Sequence, residues 1–126
     1  MQIYIHPGDE IPIYRQIVRQ VTDALAGGRL KPGERLPSHR ELAAQLVIAP
    51  LTVKKAYDEL EREGLIDTQR GRGTFVAETP PPRDPERTRE RLREAARRLL
   101  TQATLSGVSL GEVQDLLTEI DKETQS

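Results

Sequence analysis

The sequence predicts a mainly α chain in two parts: three helices closed by a β-ribbon, followed by a helical hairpin. Three observations carry that prediction. Apolar residues recur at helical spacing in separate stretches, opened by prolines or capping residues. β-prone residues flank the turn-rich Arg70-Gly71-Arg72-Gly73. Composition breaks once, at Glu78-Thr79-Pro80-Pro81-Pro82-Arg83-Asp84-Pro85, where consecutive prolines lack amide donors and favour an extended spacer.

Ile13, Ile17, Val21 and Leu25 recur every four residues after Pro12, which predicts an amphipathic first helix stopping at Gly27-Gly28. Pro32-Gly33 turns the chain. Ser38-His39-Arg40-Glu41 has the form of a capping box, in which the Ser38 hydroxyl and the Glu41 carboxylate satisfy each other's orphan amides. It opens a short second helix through Leu42 and Leu46. After a tight Val47-Ile48-Ala49 turn, Pro50 suits the first position of a third helix. That helix turns Val53, Ala56, Tyr57 and Leu60 inward before Gly64 ends it. Leu65-Ile66 and Thr74-Phe75-Val76 are the expected arms of a two-stranded ribbon, with Tyr57 and Phe75 as core aromatics.

Beyond the spacer, Asp84 caps and Pro85 starts a helix carrying Leu92, Ala96, Leu99 and Ala103, with Gly107 as its stop. Ser109-Leu110-Gly111-Glu112 is a second capping box, stapled by Val108 and Val113. The last helix shows Val113, Leu116, Leu117 and Ile120. Two arms of this length bury too little surface against each other to stand alone. Their apolar stripes need a partner, and a second copy of the chain is the simplest one.

The chain has 126 residues, 19 Lys+Arg, 20 Asp+Glu and no cysteine. A small domain with an appendage fits that length. Lacking cysteine, it has no disulfide framework, thiolate zinc site or cysteine nucleophile, and a reducing cytoplasm suits it. His6 and His39 sit in no ligand-spacing motif, so neither a metal nor another cofactor is expected. No apolar run approaches the ~20 residues of a membrane span. The start, Met1-Gln2-Ile3-Tyr4-Ile5, lacks a signal-peptide pattern. There is no Gly-rich phosphate loop after a strand and no paired nucleophile and base, so an enzyme is not expected.

Three helices, the last two joined by a tight turn, followed by a β-ribbon describe a winged helix-turn-helix. That shape fits duplex DNA. A helix enters the major groove, the helix before it crosses the backbone, and a basic Gly-rich tip lies on phosphates or in the minor groove.

The residues themselves carry a resemblance. Pro12-Ile13-Tyr14-Arg15-Gln16-Ile17 and Gly28-Arg29-Leu30-Lys31-Pro32-Gly33-Glu34-Arg35-Leu36-Pro37-Ser38 resemble the opening of the GntR family of bacterial transcription regulators. Arg40-Glu41-Leu42-Ala43, Thr52-Val53-Lys54-Lys55-Ala56-Tyr57, Leu60-Glu61-Arg62-Glu63-Gly64-Leu65-Ile66 and Gly71-Arg72-Gly73-Thr74-Phe75-Val76 continue it over about two-thirds of the chain. The short helical C-terminal part is similar to the YtrA-type subfamily, whose members carry only a small helical dimerisation region.

The resemblance implies a homodimeric regulator, a repressor in the first instance, on a palindromic double-stranded DNA operator. It implies DNA contact by Arg40, by Leu51, Thr52 and Lys54 at the start of the recognition helix, and by Gly71 to Gly73 in the wing. Position and charge add Ser38, His39, Lys55, Arg70 and Arg72. The dimer seam is expected on Leu92, Ala96, Leu99, Ala103, Val113, Leu116, Leu117 and Ile120. The expected boundaries are a winged helix-turn-helix over 1–77, a Pro-rich linker over 78–85 and the dimerisation region over 86–126. An unidentified small-molecule effector would need a pocket between subunits, because the hairpin is too small to enclose the usual ~300–1,000 Å³.

One departure from the family pattern matters. Polar residues usually lead into the recognition helix, whereas this chain has Ala49-Pro50-Leu51. Leu51 lies opposite Val53 and should face outward, where it can touch a thymine methyl but cannot hydrogen-bond a base.

Simpler readings compete. Lys54 and Lys55 precede Asp58 and Glu59 by four residues and could form a solvated face of ion pairs. A winged-helix adaptor that binds protein and not DNA is the alternative function, supported by Leu51 and opposed by the cations. The formal net charge of −1 does not decide between them, because charge is sorted along the chain. Residues 29–40 hold Arg29, Lys31, Arg35 and Arg40 against Glu34, and the wing adds Arg70 and Arg72. The acids Asp58, Glu59, Glu61 and Glu63 gather at the far end of the third helix.

Overall fold

A computed structural model describes residues 1–79 and 84–125. The remaining residues of the expected linker, 80–83, lie outside them. The order is α1 (Ile13–Ala26), β1 (Arg35–Leu36), α2 (His39–Leu46), α3 (Pro50–Arg62), β2 (Ile66–Gln69), β3 (Gly73–Val76), α4 (Pro85–Leu105) and α5 (Leu110–Gln125). The fold is mainly helical with a small antiparallel sheet, in two compact units, Met1–Pro81 and Pro82–Ser126. No helix among the described residues is long and apolar enough to cross a membrane.

In the first unit, α1 turns Ile17 and Val21 inward, α2 turns Leu42, and α3 turns Val53, Ala56, Tyr57 and Leu60, as the helical spacing predicts. Leu30, Leu36, Ile66 and Val76 close the same core. The sheet has one strand more than the expected ribbon. β1 pairs antiparallel with β3, setting Arg35 opposite Phe75 and Leu36 opposite Thr74, and β3 pairs in turn with β2. A strand of two residues is too short for alternation to be visible in sequence.

Phe75 is also displaced from its expected place. Val76 pairs with Ile66 on the core side. Side chains alternate along a strand, so Thr74 is buried beneath the sheet and Phe75 stands half-buried on the other face. There it lines an open cleft with Glu61, Asp67 and Glu78.

The capping box at Ser38 is half formed. Its hydroxyl oxygen accepts from the Glu41 amide at 3.1 Å. Among the described residues, the Glu41 carboxylate makes no return bond to Ser38.

The extended N-terminus is held by an arrangement that no motif announces. Gln20 accepts from the Tyr4 amide at 2.9 Å and donates to the Tyr4 carbonyl at 2.7 Å. Gln16 accepts from the His6 amide at 2.9 Å and donates to the carbonyls of His6 (3.0 Å) and Ile11 (2.9 Å). Four residues of helix advance about 6 Å and two residues of strand about 6.6 Å. The two side-chain amides therefore match alternate residues of the segment and serve as its strand partner, while Ile3 enters the core.

The turn between α2 and α3 carries strain. Val47 adopts φ 56° and ψ 50°, a left-handed conformation that β-branched residues rarely take. It is 88% exposed, so packing gives nothing back. Val47→Asn is expected to stabilise the first unit by about 1 kcal/mol, read as a higher urea midpoint. An unchanged or lower midpoint would show that the turn is not strained.

In the second unit, the Asp84 carboxylate accepts from the Arg87 amide at 3.2 Å and Pro85 takes the first helical position. The α4 C-terminus closes with Gly107 at φ 71° and the Val108 amide donating back to Ala103 at 2.8 Å. Ser109 accepts from the Glu112 amide at 3.2 Å and opens α5. Ala103 and Val113 are buried, whereas Leu92, Ala96, Leu116, Leu117 and Ile120 are exposed on this chain and Leu99 is partly so.

Candidate nucleic-acid interface

The third helix sets the geometry. Its buried residues at 53, 56, 57 and 60 mark one side, which turns Leu51 to the opposite side, where it is 77% exposed. Thr52 is half-buried beside it. Ala49 precedes the helix without a side-chain capping bond, so the polar lead-in common at helix starts is missing.

The polar side chains that follow are engaged within the molecule. Lys54 Nζ lies 3.0 Å from Asp58 Oδ2, the i,i+4 pair that the spacing allows. Lys55 makes no comparable pair with Glu59. Its Nζ sits 4.1 Å from the centre of the Tyr14 ring, a cation–π contact between α3 and α1. Glu59 instead meets Arg15 at 3.4 Å, and Arg15 also donates to the Tyr14 hydroxyl at 3.2 Å. The Tyr14 hydrogen bond first, and the Glu59 charge second, raise the Arg15 pKa.

A buried tyrosine aligns α2 with α3. Tyr57 donates from its hydroxyl to the Pro37 carbonyl at 2.8 Å, just ahead of the Ser38 cap. This fixes the start of α2, where Arg40 is exposed and His39 partly so, against the middle of α3. Burial pushes the Tyr57 phenol well above its ordinary value, with the negative charge of Glu41 adding to the shift. Above about pH 10 the unfolded chain loses this proton while the folded chain keeps it, so stability falls as pH rises. Tyr57→Phe is expected to cost about 1–2 kcal/mol at neutral pH and to flatten the decline above pH 10. Urea unfolding of both proteins across pH 8–11 reads the difference, and parallel curves would remove Tyr57 as the cause.

At the wing, Arg70, Gly71 and Arg72 form the loop between β2 and β3, closed by the Arg72 amide on the Gln69 carbonyl at 2.9 Å. Gly71 and Gly73 take φ of 78° and 124°, values that favour glycine. Arg70 and Arg72 are exposed. The structure adds Arg35, which sequence reasoning did not count as a site residue. A Cβ placed on Gly73 would stand 3.2 Å from Arg35 Nε, so the guanidinium lies along the base of the wing. The cationic stretch around residues 29–40 was the available signal, but only the β1–β3 pairing brings Arg35 to this place.

The first unit therefore holds Ser38, His39 and Arg40 at the start of α2, Leu51, Thr52, Lys54 and Lys55 on α3, and residues 70–73 in the wing. The eight apolar seam candidates all lie in the second unit.

Comparison with known proteins follows this division. Residues 13–76 match the family described as bacterial regulatory proteins, gntR family. The chain is 40% identical over 98% of its length to the HTH-type transcriptional repressor YtrA of Bacillus subtilis, covering 95% of that protein. It superposes on the crystal structure of a transcriptional antiterminator from Listeria monocytogenes with a TM-score of 0.88 and 32% identity, covering 100% of this chain and 94% of the other. The DNA-binding domain of AraR, solved in complex with operator ORX1, gives a TM-score of 0.52 and 30% identity over 60% of this chain and 93% of that one.

Proposed function

This chain belongs to the GntR family of bacterial regulatory proteins, in its YtrA-type branch, and is a DNA-binding transcription regulator; from that premise we propose that it is a cytoplasmic repressor, binding a palindromic operator as a homodimer. The observation that carries the reading is the distribution of cations in the first unit. Exposed Arg40 opens α2, and Arg35, Arg70 and Arg72 collect at the wing, while Asp58, Glu59, Glu61 and Glu63 gather toward the far end of α3. Phosphates approaching α2 and the wing meet these cations.

Each residue takes a part in this proposal. Ser38 holds the α2 N-terminus in shape, and His39 and Arg40 contact phosphate there. A cation disfavours a helix N-terminus, and a bound phosphate removes that conflict. Leu51 and Thr52 face the bases, and Lys54 and Lys55 lie along the flanking backbone. Arg70 to Gly73 reach a neighbouring minor groove. The exposed stripes of α4 and α5 form the seam with a second copy. No cofactor, metal or catalytic role is assigned, and its relatives are transcription regulators.

Footprinting on the DNA upstream of the protein's own gene tests this, with protection of two half-sites about one helical turn apart as the expected result. Arg40→Ala removes one phosphate contact per subunit and is expected to lower the slope of log affinity against log salt by about 1.8 for the dimer on its two half-sites. Exposed Leu51 also suits the adaptor reading. Affinity for duplex that stays flat with salt, together with no footprint, would favour that alternative.

A further inference from the structure

We infer that Leu51 is the base-reading residue that α3 offers and that it selects thymine through the C5-methyl group. The inference rests on the DNA-binding reading above and deepens it. The outward side of α3 begins with an apolar side chain that is 77% exposed and lies outside the hydrophobic core. The cations that follow it are held elsewhere, Lys54 by Asp58 at 3.0 Å and Lys55 over the Tyr14 ring at 4.1 Å. Ala49 brings no hydrogen-bonding group to the turn, and Thr52 is half-buried.

What this helix offers the floor of a major groove is therefore a hydrocarbon tip. Of the four bases, only thymine presents a methyl group on that floor. The Lys54 pair also offsets the Asp58 carboxylate, which would otherwise repel the DNA backbone. Charge complementarity identifies duplex as the occupant. Exposed Arg40 at the start of α2, and exposed Arg35, Arg70 and Arg72 at the wing, belong to the same unit as Leu51, which follows the exposed Val47 of the α2–α3 turn.

The test uses the full chain. Duplexes enriched by affinity from a randomised pool are remade with deoxyuridine in place of thymidine, one position at a time, which removes only the methyl. Wild type is expected to lose about four-fold in affinity for each contacted methyl removed, at matching positions of the two half-sites. Leu51→Ala changes an exposed residue and should keep the same melting curve and salt slope. It is expected to bind the thymidine and deoxyuridine forms equally. The inference is overturned if wild type is indifferent at every thymidine, or if Leu51→Ala keeps the discrimination; in both cases tight binding to the duplex leaves the DNA-binding reading intact. Failure to enrich any duplex would overturn that reading, and the thymine contact with it.

Discussion

Replacing Leu117 and Ile120 together by aspartate is expected to make the chain monomeric and to weaken binding to a two-half-site duplex by about 10²- to 10⁴-fold. Both side chains are about half exposed in the isolated chain, so their loss leaves the hairpin's own contact at Ala103 and Val113 in place. In the proposed dimer they are covered, and two carboxylates per chain would be buried without partners, a cost of several kcal/mol. The surroundings make this worse, because the residues after Arg98 hold one lysine against five acids. A monomer still presents one winged helix, so a single half-site should bind both proteins alike. That equality separates lost bivalency from lost folding. Sedimentation gives the mass and fluorescence anisotropy the affinities. A variant that remains dimeric, or a monomer that binds the full site as tightly as wild type, would contradict the arrangement.

Gln16→Ala is expected to be the most damaging single change in the first unit outside its apolar core, at about 3 kcal/mol. The side chain is buried and makes three hydrogen bonds, two of them to both polar groups of the His6 peptide. Alanine would leave the His6 amide and the Ile11 carbonyl without this partner, while the His6 carbonyl would keep only its bond from the Asp9 amide at 3.1 Å. The N-terminal segment would then detach, taking Ile3 out of the core. Gln20→Ala is the matching control. Its two bonds to Tyr4 are exposed, so water replaces them and the cost stays below about 1 kcal/mol. Urea midpoints measure both, and early proteolysis within the first eight residues should accompany only Gln16→Ala. Equal midpoints for the two variants would show that burial does not distinguish them.

The three α-helices of the first unit were legible because each keeps a buried side at helical spacing, a pattern written in consecutive residues. Tyr57 and Leu60 follow that pattern. Leu51 was legible for the same reason, since fixing the inner side of α3 fixes its outer side. The sheet was less so. A strand's inward face reverses with a shift of one residue, and Thr74-Phe75-Val76 could be read either way until Val76 paired with Ile66. Phe75 drew the inward assignment by its hydrophobicity, whereas register placed the smaller Thr74 inside.

Side-chain roles at the candidate interface depended further on distant partners. Lys54 and Lys55 have the same charge and adjoining positions, yet one pairs with Asp58 on its own helix and the other lies over Tyr14 on another. Helical spacing offers Lys55 a partner in Glu59, and Arg15 takes that carboxylate instead. Arg35 likewise becomes part of the wing only through pairing with β3.

The amino-acid order alone thus specified the helices, most of their ends, the wing loop and the family resemblance, because caps, turns and amphipathic spacing are local and repeat within a few residues. Folding assigned the sheet register, the third strand, the clasp of Gln16 and Gln20 on the N-terminus, and which cations stay exposed. Those outcomes turn on competition among groups far apart in the chain, and distances across the packed core resolve it.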